Sequence, residues 1–239
     1  RFGAERFGAA VRAIGLSLRA ARFGAERFGT AARAHSASRT SAALVPPKPR
    51  ASTSARLLRG SCGCADTGSW AIALTEWMAR RHDLSIDPTW VSPTPGVVSG
   101  LGLILQAVTE PGDEVVVFPP AYHAFRKIIL ANDRRILDAQ LSLRQGRYAM
   151  DLDALAAKLT PRTKIVFFCS PHNPGGTVWS VEEIRALALL CAERNLILVS
   201  DEIHCDLLLA GARRTPTLSA APEIADRLST CVAATKTFK

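Results

Sequence analysis

Residues 164–204 read KIVFFCSPHNPGGTVWSVEEIRALALLCAERNLILVSDEIH, and the order of residue types in this stretch decides the fold. The predicted strands at 164–169 and 196–200 are apolar at consecutive positions from 165 to 169 and from 196 to 199, which is typical of central strands in a parallel sheet that is covered on both faces. Between them, Ser180 and Glu183 have the spacing of a capping box at the start of a helix. A strand, a helix and a second strand in this order predict the crossover unit of an α/β sheet.

The same alternation of helices and strands continues on both sides of this unit. We expect further helices at residues 71–81, 96–108, 122–131, 152–159 and 222–227, and further strands at residues 114–118, 134–141 and 230–234. Asp151 is placed to cap the helix that follows it. The sequence from Trp70 onwards therefore predicts one α/β sheet with helical crossovers.

Residues 1–69 differ from the rest of the chain in composition and charge. Residues 1–60 hold 12 Arg and Lys against 2 Glu, a charge of +10, which leaves −1 for the remainder of a chain whose net charge is +9. Ala, Arg and Ser dominate, and such a composition buries too little apolar surface to offset the entropy of ordering. We therefore predict a disordered or non-native leader. A transit peptide, a basic tail that touches nucleic acid and a sequence read out of frame are the alternatives.

Composition also bears on partners and location. The part after residue 60 is close to neutral, so no nucleic-acid partner is expected for the folded region. The sequence contains no run of eighteen apolar residues, and no membrane span is expected. Four of the six cysteines lie in or beside apolar segments, namely Cys169, Cys191, Cys205 and Cys231. We predict that these are buried free thiols, which favours a reducing, cytoplasmic location, and the absence of C-x-x-C spacing predicts no metal site.

Three polar residues come shortly after predicted strands, namely Asn173, Asp201 and Lys236. Because the carboxyl ends of parallel strands meet at one edge of a sheet, we expect these side chains to converge on one crevice. Alone, each has an ordinary explanation as a turn residue, a helix cap or a solvated lysine. Together, an amide, a carboxylate and an amine are the groups that hold pyridoxal phosphate. The carboxylate keeps the ring nitrogen protonated, the amine attaches the cofactor and the amide binds the ring hydroxyl.

A phosphate site is predicted beside this crevice. Gly96 and Val97 open a helix, and the free backbone N–H groups at a helix N-terminus suit a phosphate. Thr235 is placed to add a hydroxyl group.

Several motifs resemble those of fold-type I enzymes that use pyridoxal phosphate. They are PHNPGG at 171–176, VSDEIHCDL at 199–207 and TKTF at 235–238. Within that group they are similar to the MalY/PatB-type cystathionine β-lyases, which are C–S lyases of the class I/II aminotransferase superfamily. The Asp-Glu-Ile-His run favours this branch, since related aminotransferases more often have Tyr. The resemblance covers about residues 70–238 and implies a three-layer, mostly parallel large domain.

The resemblance also implies a role for each matching residue. The catalytic residue is Lys236, which would bind the cofactor covalently. The other cofactor-binding residues are Asp201 at the ring nitrogen, Asn173 at the ring hydroxyl, Tyr122 on the ring face, Gly96, Val97 and Thr235 at the phosphate, and His204 nearby. A hydrogen-bonded core histidine is the alternative for His204.

The implied activity is a β-lyase that cleaves cystathionine or related cysteine S-conjugates to thiol, pyruvate and ammonia. A small amino acid would be the substrate, and a homodimer the expected assembly. A class I/II aminotransferase and a non-catalytic fragment or pseudoenzyme are the alternatives.

The sequence departs from the family at both ends. Residues 1–69 do not resemble the segment that closes the family's active site, and residue 239 is Lys where the family usually has Asn. The family's C-terminal small domain, with the arginine that binds the substrate carboxylate, has no counterpart here. We therefore expect residues 70–239 to be an incomplete cofactor-binding large domain. An incomplete sheet exposes an edge, so we expect this chain alone to be inactive and poorly soluble.

Overall fold

A computed structural model describes residues 41–44, 67–209 and 211–238. The α-helices of this part are α1 (Thr67–His82), α2 (Val97–Val108), α3 (His123–Ala131), α4 (Leu152–Lys158), α5 (Val181–Glu193) and α6 (Thr217–Ala220). Its strands are β1 (Ser41–Leu44), β2 (Val91–Thr94), β3 (Glu114–Val117), β4 (Arg135–Asp138), β5 (Ser142–Arg144), β6 (Arg147–Ala149), β7 (Thr163–Cys169), β8 (Ile197–Asp201) and β9 (Leu228–Ala233). Short 3-10 helices lie at Pro88–Trp90, Pro222–Arg227 and Ala234–Lys236.

Seven of these strands form one sheet in the order β2-β1-β9-β8-β7-β3-β4. The strands from β9 to β4 in this order are mutually parallel, whereas β1 is antiparallel to both of its neighbours. The register pairs Cys169 with Asp201, and Asp201 with Cys231. The ends of β7, β8 and β9 therefore lie side by side. A separate hairpin consists of β5 and β6.

The central strand β7 shows how the sheet acquires two apolar faces. Val166 and Phe168 belong to a core shared with α4 and α5, whereas Ile165 and Phe167 belong to a core shared with α2 and α3. These four side chains are at most 1% exposed, and burying each one stabilises the fold by about 1.5–3 kcal/mol. The sheet is thus the middle of three layers, which confirms the predicted α/β architecture.

Helix starts were predictable because they depend on nearby residues. Ser180 and Glu183 form the predicted capping box of α5, and the side chain of Asp151 accepts a hydrogen bond from the Ala154 amide at 2.9 Å. The predicted strand at 134–141 is shorter than expected, since the ladder of β4 covers only Arg135–Asp138.

Two parts of residues 1–69, which we predicted to be a disordered or non-native leader, form regular structure, whereas the division of the chain at residue 69 stays a prediction. Ser41–Leu44 forms β1, which lies between β2 and β9 in the sheet, because neighbouring strands on both sides supply hydrogen-bond partners for this short segment. Helix α1 already begins at Thr67. Residues 1–40 and 45–66, with Cys62 and Cys64, lie outside the described residues, and the prediction for them stays a prediction.

The predictions for the cysteines and for membrane spans can be compared with the described residues. Cys169, Cys191, Cys205 and Cys231 are buried free thiols, as predicted. Among the helices that the structure describes, none is both long enough and apolar enough to cross a membrane.

Candidate active site

The carboxyl end of the parallel sheet and the start of α2 enclose a cavity of about 220 Å³. The residues that line it are Pro95, Gly96, Val97, Val98, Ser99, Tyr122, Asn173, Asp201, Ile203, His204 and Lys236. Seven of the eight predicted cofactor-binding residues are in this set. The eighth, Thr235, is half-buried but does not line the cavity, and its contact with a phosphate stays a prediction. A larger cavity of about 420 Å³ lies at the amino ends of the strands, away from these residues.

Asp201 is the last residue of β8 and is only 3% exposed. Its Oδ1 accepts a hydrogen bond from the Ile203 amide at 3.1 Å. Burial raises the pKa of this carboxyl to about 7, and the charge of Glu202 adds to the rise, whereas the Ile203 amide and the charge of Lys236 lower it. The buried carboxylate therefore lacks full compensation for its charge. A protonated ring nitrogen in the cavity would supply that compensation.

Lys236 reaches the cavity because the chain turns sharply after β9. The 3-10 helix Ala234–Lys236 follows the strand directly, and the Thr237 and Phe238 amides both donate to the Ala234 carbonyl, at 3.0 and 2.8 Å. This turn places Lys236 on the same cavity wall as Asp201, one strand away. An exposed amine thus lies near a buried carboxylate.

Asn173 and His204 lie in the turns that follow the adjacent strands β7 and β8. Asn173 stands in the turn after β7, where a Cβ on Gly175 would lie only 2.4 Å from the Tyr148 ring, so this turn requires glycine. Burial and the positive charge of Lys236 lower the pKa of His204, which keeps its imidazole neutral near pH 7. A neutral imidazole can both donate and accept a hydrogen bond in the cavity.

The N-terminus of α2 forms another part of the wall. Gly96 is the N-cap residue, its φ of 120° is one that glycine adopts readily, and no side chain caps this helix. The first backbone N–H groups, at Val97, Val98 and Ser99, thus belong to residues that line the cavity. They suit an anion, since the helix dipole adds a positive partial charge there.

Sequence reasoning missed one polar group in the cavity wall. Ser99 carries an exposed hydroxyl in the first turn of α2. The sequence could have indicated Ser99, because this residue lies two positions after Val97. Val97 was already predicted to contact a phosphate.

The family of this chain follows from the comparison with known proteins. Residues 68–238 match the family described as Aminotransferase class I and II. The chain belongs to this family. The matched residues include nearly all of α1 and every later element. They therefore include every residue that lines the cavity.

Individual relatives show what this member of the family is similar to. The chain is 43% identical over 167 residues to the cystathionine beta-lyase PatB of Bacillus subtilis, an alignment that covers 70% of the chain and 43% of PatB. Its structure is similar to that of cystalysin from Treponema denticola, which contains a pyridoxal 5'-phosphate cofactor. The TM-score is 0.70 and the identity 33%, over 75% of the chain and 45% of cystalysin.

An aminotransferase is also among the similar structures. The N-succinyldiaminopimelate aminotransferase of Mycobacterium tuberculosis is 28% identical, with a TM-score of 0.63 over 69% of the chain and 43% of that protein. The chain spans less than half the length of each of these relatives. The structural likeness confirms the predicted fold.

Proposed function

We propose that this chain carries the cofactor-binding part of a pyridoxal phosphate-dependent C–S β-lyase. The proposed reaction consumes one water molecule and cleaves cystathionine or a related cysteine S-conjugate to a thiol, pyruvate and ammonia. One observation carries the proposal: Asn173, Asp201, Lys236 and the N-terminus of α2 line a single cavity. The similarity to PatB supports the lyase reaction in particular.

The donor set of the cavity fits each polar group of pyridoxal phosphate. The Asp201 carboxylate would hold a proton on the ring nitrogen, and Asn173 would bind the ring hydroxyl. The backbone N–H groups at the start of α2 would bind the phosphate. Tyr122 would pack on the ring face. Lys236 has the amine to which the cofactor would be attached.

The chemistry divides between the cofactor and the protein. When bound, pyridoxal phosphate supplies an electron sink next to the Cα of the amino acid. The Nζ of Lys236, once released, would take the proton from that Cα, and the buried Asp201 would keep the ring nitrogen protonated throughout. The leaving group on Cβ would depart as a thiolate. The low pKa of His204 keeps an uncharged imidazole next to Lys236, where it can orient the substrate without repelling the amine.

A class I/II aminotransferase is the second candidate, because the family and the M. tuberculosis relative favour it. The same residues would serve both reactions, so the products distinguish them. A lyase releases pyruvate and ammonia without a second substrate, whereas an aminotransferase forms a keto acid only when an acceptor is added. A chain that binds no cofactor would support the non-catalytic alternative.

We also propose a small amino-acid substrate, a homodimer and a cytoplasmic location. The class I and II family membership supports the substrate class, and the resemblance to the MalY/PatB-type lyases supports the dimer. Buried free thiols in the described part of the chain are compatible with a reducing compartment.

The activity test uses a chimera in which residues 68–238 replace the matching segment of B. subtilis PatB, since the chain spans less than half of that relative. With cystathionine and pyridoxal phosphate, the chimera should release pyruvate, and the Lys236→Ala variant of the same chimera should not. Pyruvate release is followed by coupling to lactate dehydrogenase. Equal rates in both chimeras would contradict the proposed role of Lys236. A keto acid formed only with an added acceptor would favour the aminotransferase.

A further inference from the structure

A second polar cluster, whose charged side chains are largely buried, adjoins the residues that line the cavity. Asp201 and Lys236 are each followed in the sequence by a residue of this cluster, Glu202 and Thr237. We call it the anchor network, and its members are Trp77, His82, Glu202, Asp206, Arg214 and Thr237. It connects the end of β8, the turn after β9 and helix α1.

Three contacts of the anchor network meet at Asp206. Its Oδ2 accepts hydrogen bonds from Thr237 Oγ1 at 2.7 Å and from Trp77 Nε1 at 3.2 Å, and its Oδ1 lies 2.8 Å from His82 Nε2. Burial alone would raise the pKa of Asp206, but the hydrogen bond from Thr237 and the contacts with His82 and Trp77 lower it. An ionised carboxylate therefore holds the turn that carries Lys236 against α1.

The other half of the network fixes the segment that carries Asp201. Arg214 donates to Glu202 Oε2 at 2.5 Å, and both side chains are at most 2% exposed. Glu202 Oε1 also accepts from the Thr217 amide at 2.9 Å. Arg214 Nε lies 3.5 Å from His82 Nδ1, so a His82 with its proton on Nε2 can accept from Arg214 and donate to Asp206. The two halves of the network thus meet at one histidine.

The geometry points to Asp206 as a positioning residue for the active site. We propose that its bond to Thr237 fixes the turn at Lys236, so that the amine faces the same cavity as the Asp201 carboxylate. This inference rests on the proposed function, since it requires that pyridoxal phosphate binds in the cavity. Asp206 itself does not line the cavity and acts through Thr237.

Two members of the anchor network, His82 and Asp206, could also form a metal site together with Cys205. The ligand atoms of His82, Cys205 and Asp206 all lie within 4.8 Å of one another. However, His82 and Asp206 already bond to each other, and Arg214 brings a positive charge that would repel a cation. A hydrogen-bond network explains these contacts better.

The test compares two threonines that make the same contact in different places. Thr237 Oγ1 donates to Asp206 Oδ2 at 2.7 Å, and Thr163 Oγ1 donates to Glu114 Oε2 at 2.7 Å, at the amino end of β7. Thr237→Val and Thr163→Val therefore each remove a hydrogen bond from a hydroxyl group to a carboxylate. Thr163→Val also removes the hydrogen bond that Thr163 Oγ1 accepts from the Thr160 amide at 3.0 Å, so the control loses at least as many contacts. Only Thr237 lies beside the cavity. Thr237→Ser retains the hydroxyl group, and Asp206→Asn changes the same contact from the other side.

Two measurements are made on the 239-residue chain at low micromolar concentration. One is the dissociation constant of pyridoxal phosphate from a fluorescence titration, and the other is the visible absorption spectrum of the bound cofactor. Thr237→Val should weaken binding about tenfold, equivalent to 1.4 kcal/mol, and shift the absorption band. Asp206→Asn should change the dissociation constant and the absorption band in the same direction. Thr237→Ser and Thr163→Val should leave both quantities at their wild-type values.

The possible outcomes separate the inference from the proposed function. If the wild-type chain binds no pyridoxal phosphate, the proposed cofactor site is wrong. If it binds, and Thr237→Val behaves like Thr163→Val, the positioning role is wrong while the site stands. If both Thr237→Val and Asp206→Asn fail to fold while Thr163→Val folds, the network serves only stability, which also overturns the inference.

Discussion

Asp201→Asn should make the cofactor-free protein more stable at pH 8 while weakening its binding of pyridoxal phosphate. The Asp201 carboxyl is 3% exposed, and its burial raises its pKa from 3.8 to about 7. At about 1.36 kcal/mol for each pH unit between these two values, ionising Asp201 destabilises the folded protein by about 4 kcal/mol. A neutral Asn of the same shape avoids this cost.

The pH dependence follows from the direction of the shift. Because the pKa of Asp201 in the folded protein lies above its unfolded value of 3.8, the folded protein binds the extra proton between about pH 4 and pH 7. Its stability therefore falls as the pH rises through this window, and the full cost is present above it. Below about pH 4 the carboxyl is protonated in both states, and the contribution disappears.

The assay is urea unfolding of the cofactor-free protein at pH 8 and pH 5. Asp226→Asn is the control, since the Asp226 side chain is 62% exposed and its change should stay within about 0.5 kcal/mol. The gain in unfolding free energy from Asp201→Asn should approach about 4 kcal/mol at pH 8 and be smaller at pH 5. The dissociation constant of pyridoxal phosphate should rise at least about tenfold, because the ring nitrogen loses a charged partner. A gain that is absent at pH 8, or equal at both pH values, would refute the reasoning.

Two further substitutions test the supports of the site. Gly175→Ala puts a Cβ 2.4 Å from the Tyr148 ring, so thermal denaturation should show a loss of about 1–3 kcal/mol, and an unchanged midpoint would contradict the close approach. Arg214→Met leaves the buried Glu202 unpaired and should cost about 3–5 kcal/mol in urea unfolding. Arg126→Met, which breaks an exposed ion pair, is its control and should cost at most about 1 kcal/mol. Equal losses for the two arginine variants would show that burial does not set the strength of the Arg214 pair.

The sequence predicted that Asn173, Asp201 and Lys236 would lie around one cavity, because the information for this placement is local. Asn173, Asp201 and Lys236 each lie at or near the end of an apolar strand, and parallel strands bring such ends to one edge. The helix start at Gly96 is likewise visible in a few neighbouring residues. Thr235 was assigned because it precedes Lys236 and because of the motif resemblance, and it is not among the residues that line the cavity.

What the sequence did not predict depends on distant contacts. Strand β1 pairs Ser41 with both Thr94 and Ala233, and nothing near Ser41 indicates these partners. The bond between His82 and Asp206 joins residues 124 positions apart. A polar residue at the end of a helix gives no sign of which buried carboxylate it will meet, since that depends on how the helix packs on the sheet.

The most direct test of the cofactor site is to locate the attachment of pyridoxal phosphate on the chain. The protein is incubated with pyridoxal phosphate, the link is reduced with borohydride, and peptides are analysed by mass spectrometry. We expect the reduced pyridoxyl group on Lys236, and its loss in Lys236→Ala. Modification spread over surface lysines such as Lys127 and Lys158, with none at Lys236, would contradict the cofactor site.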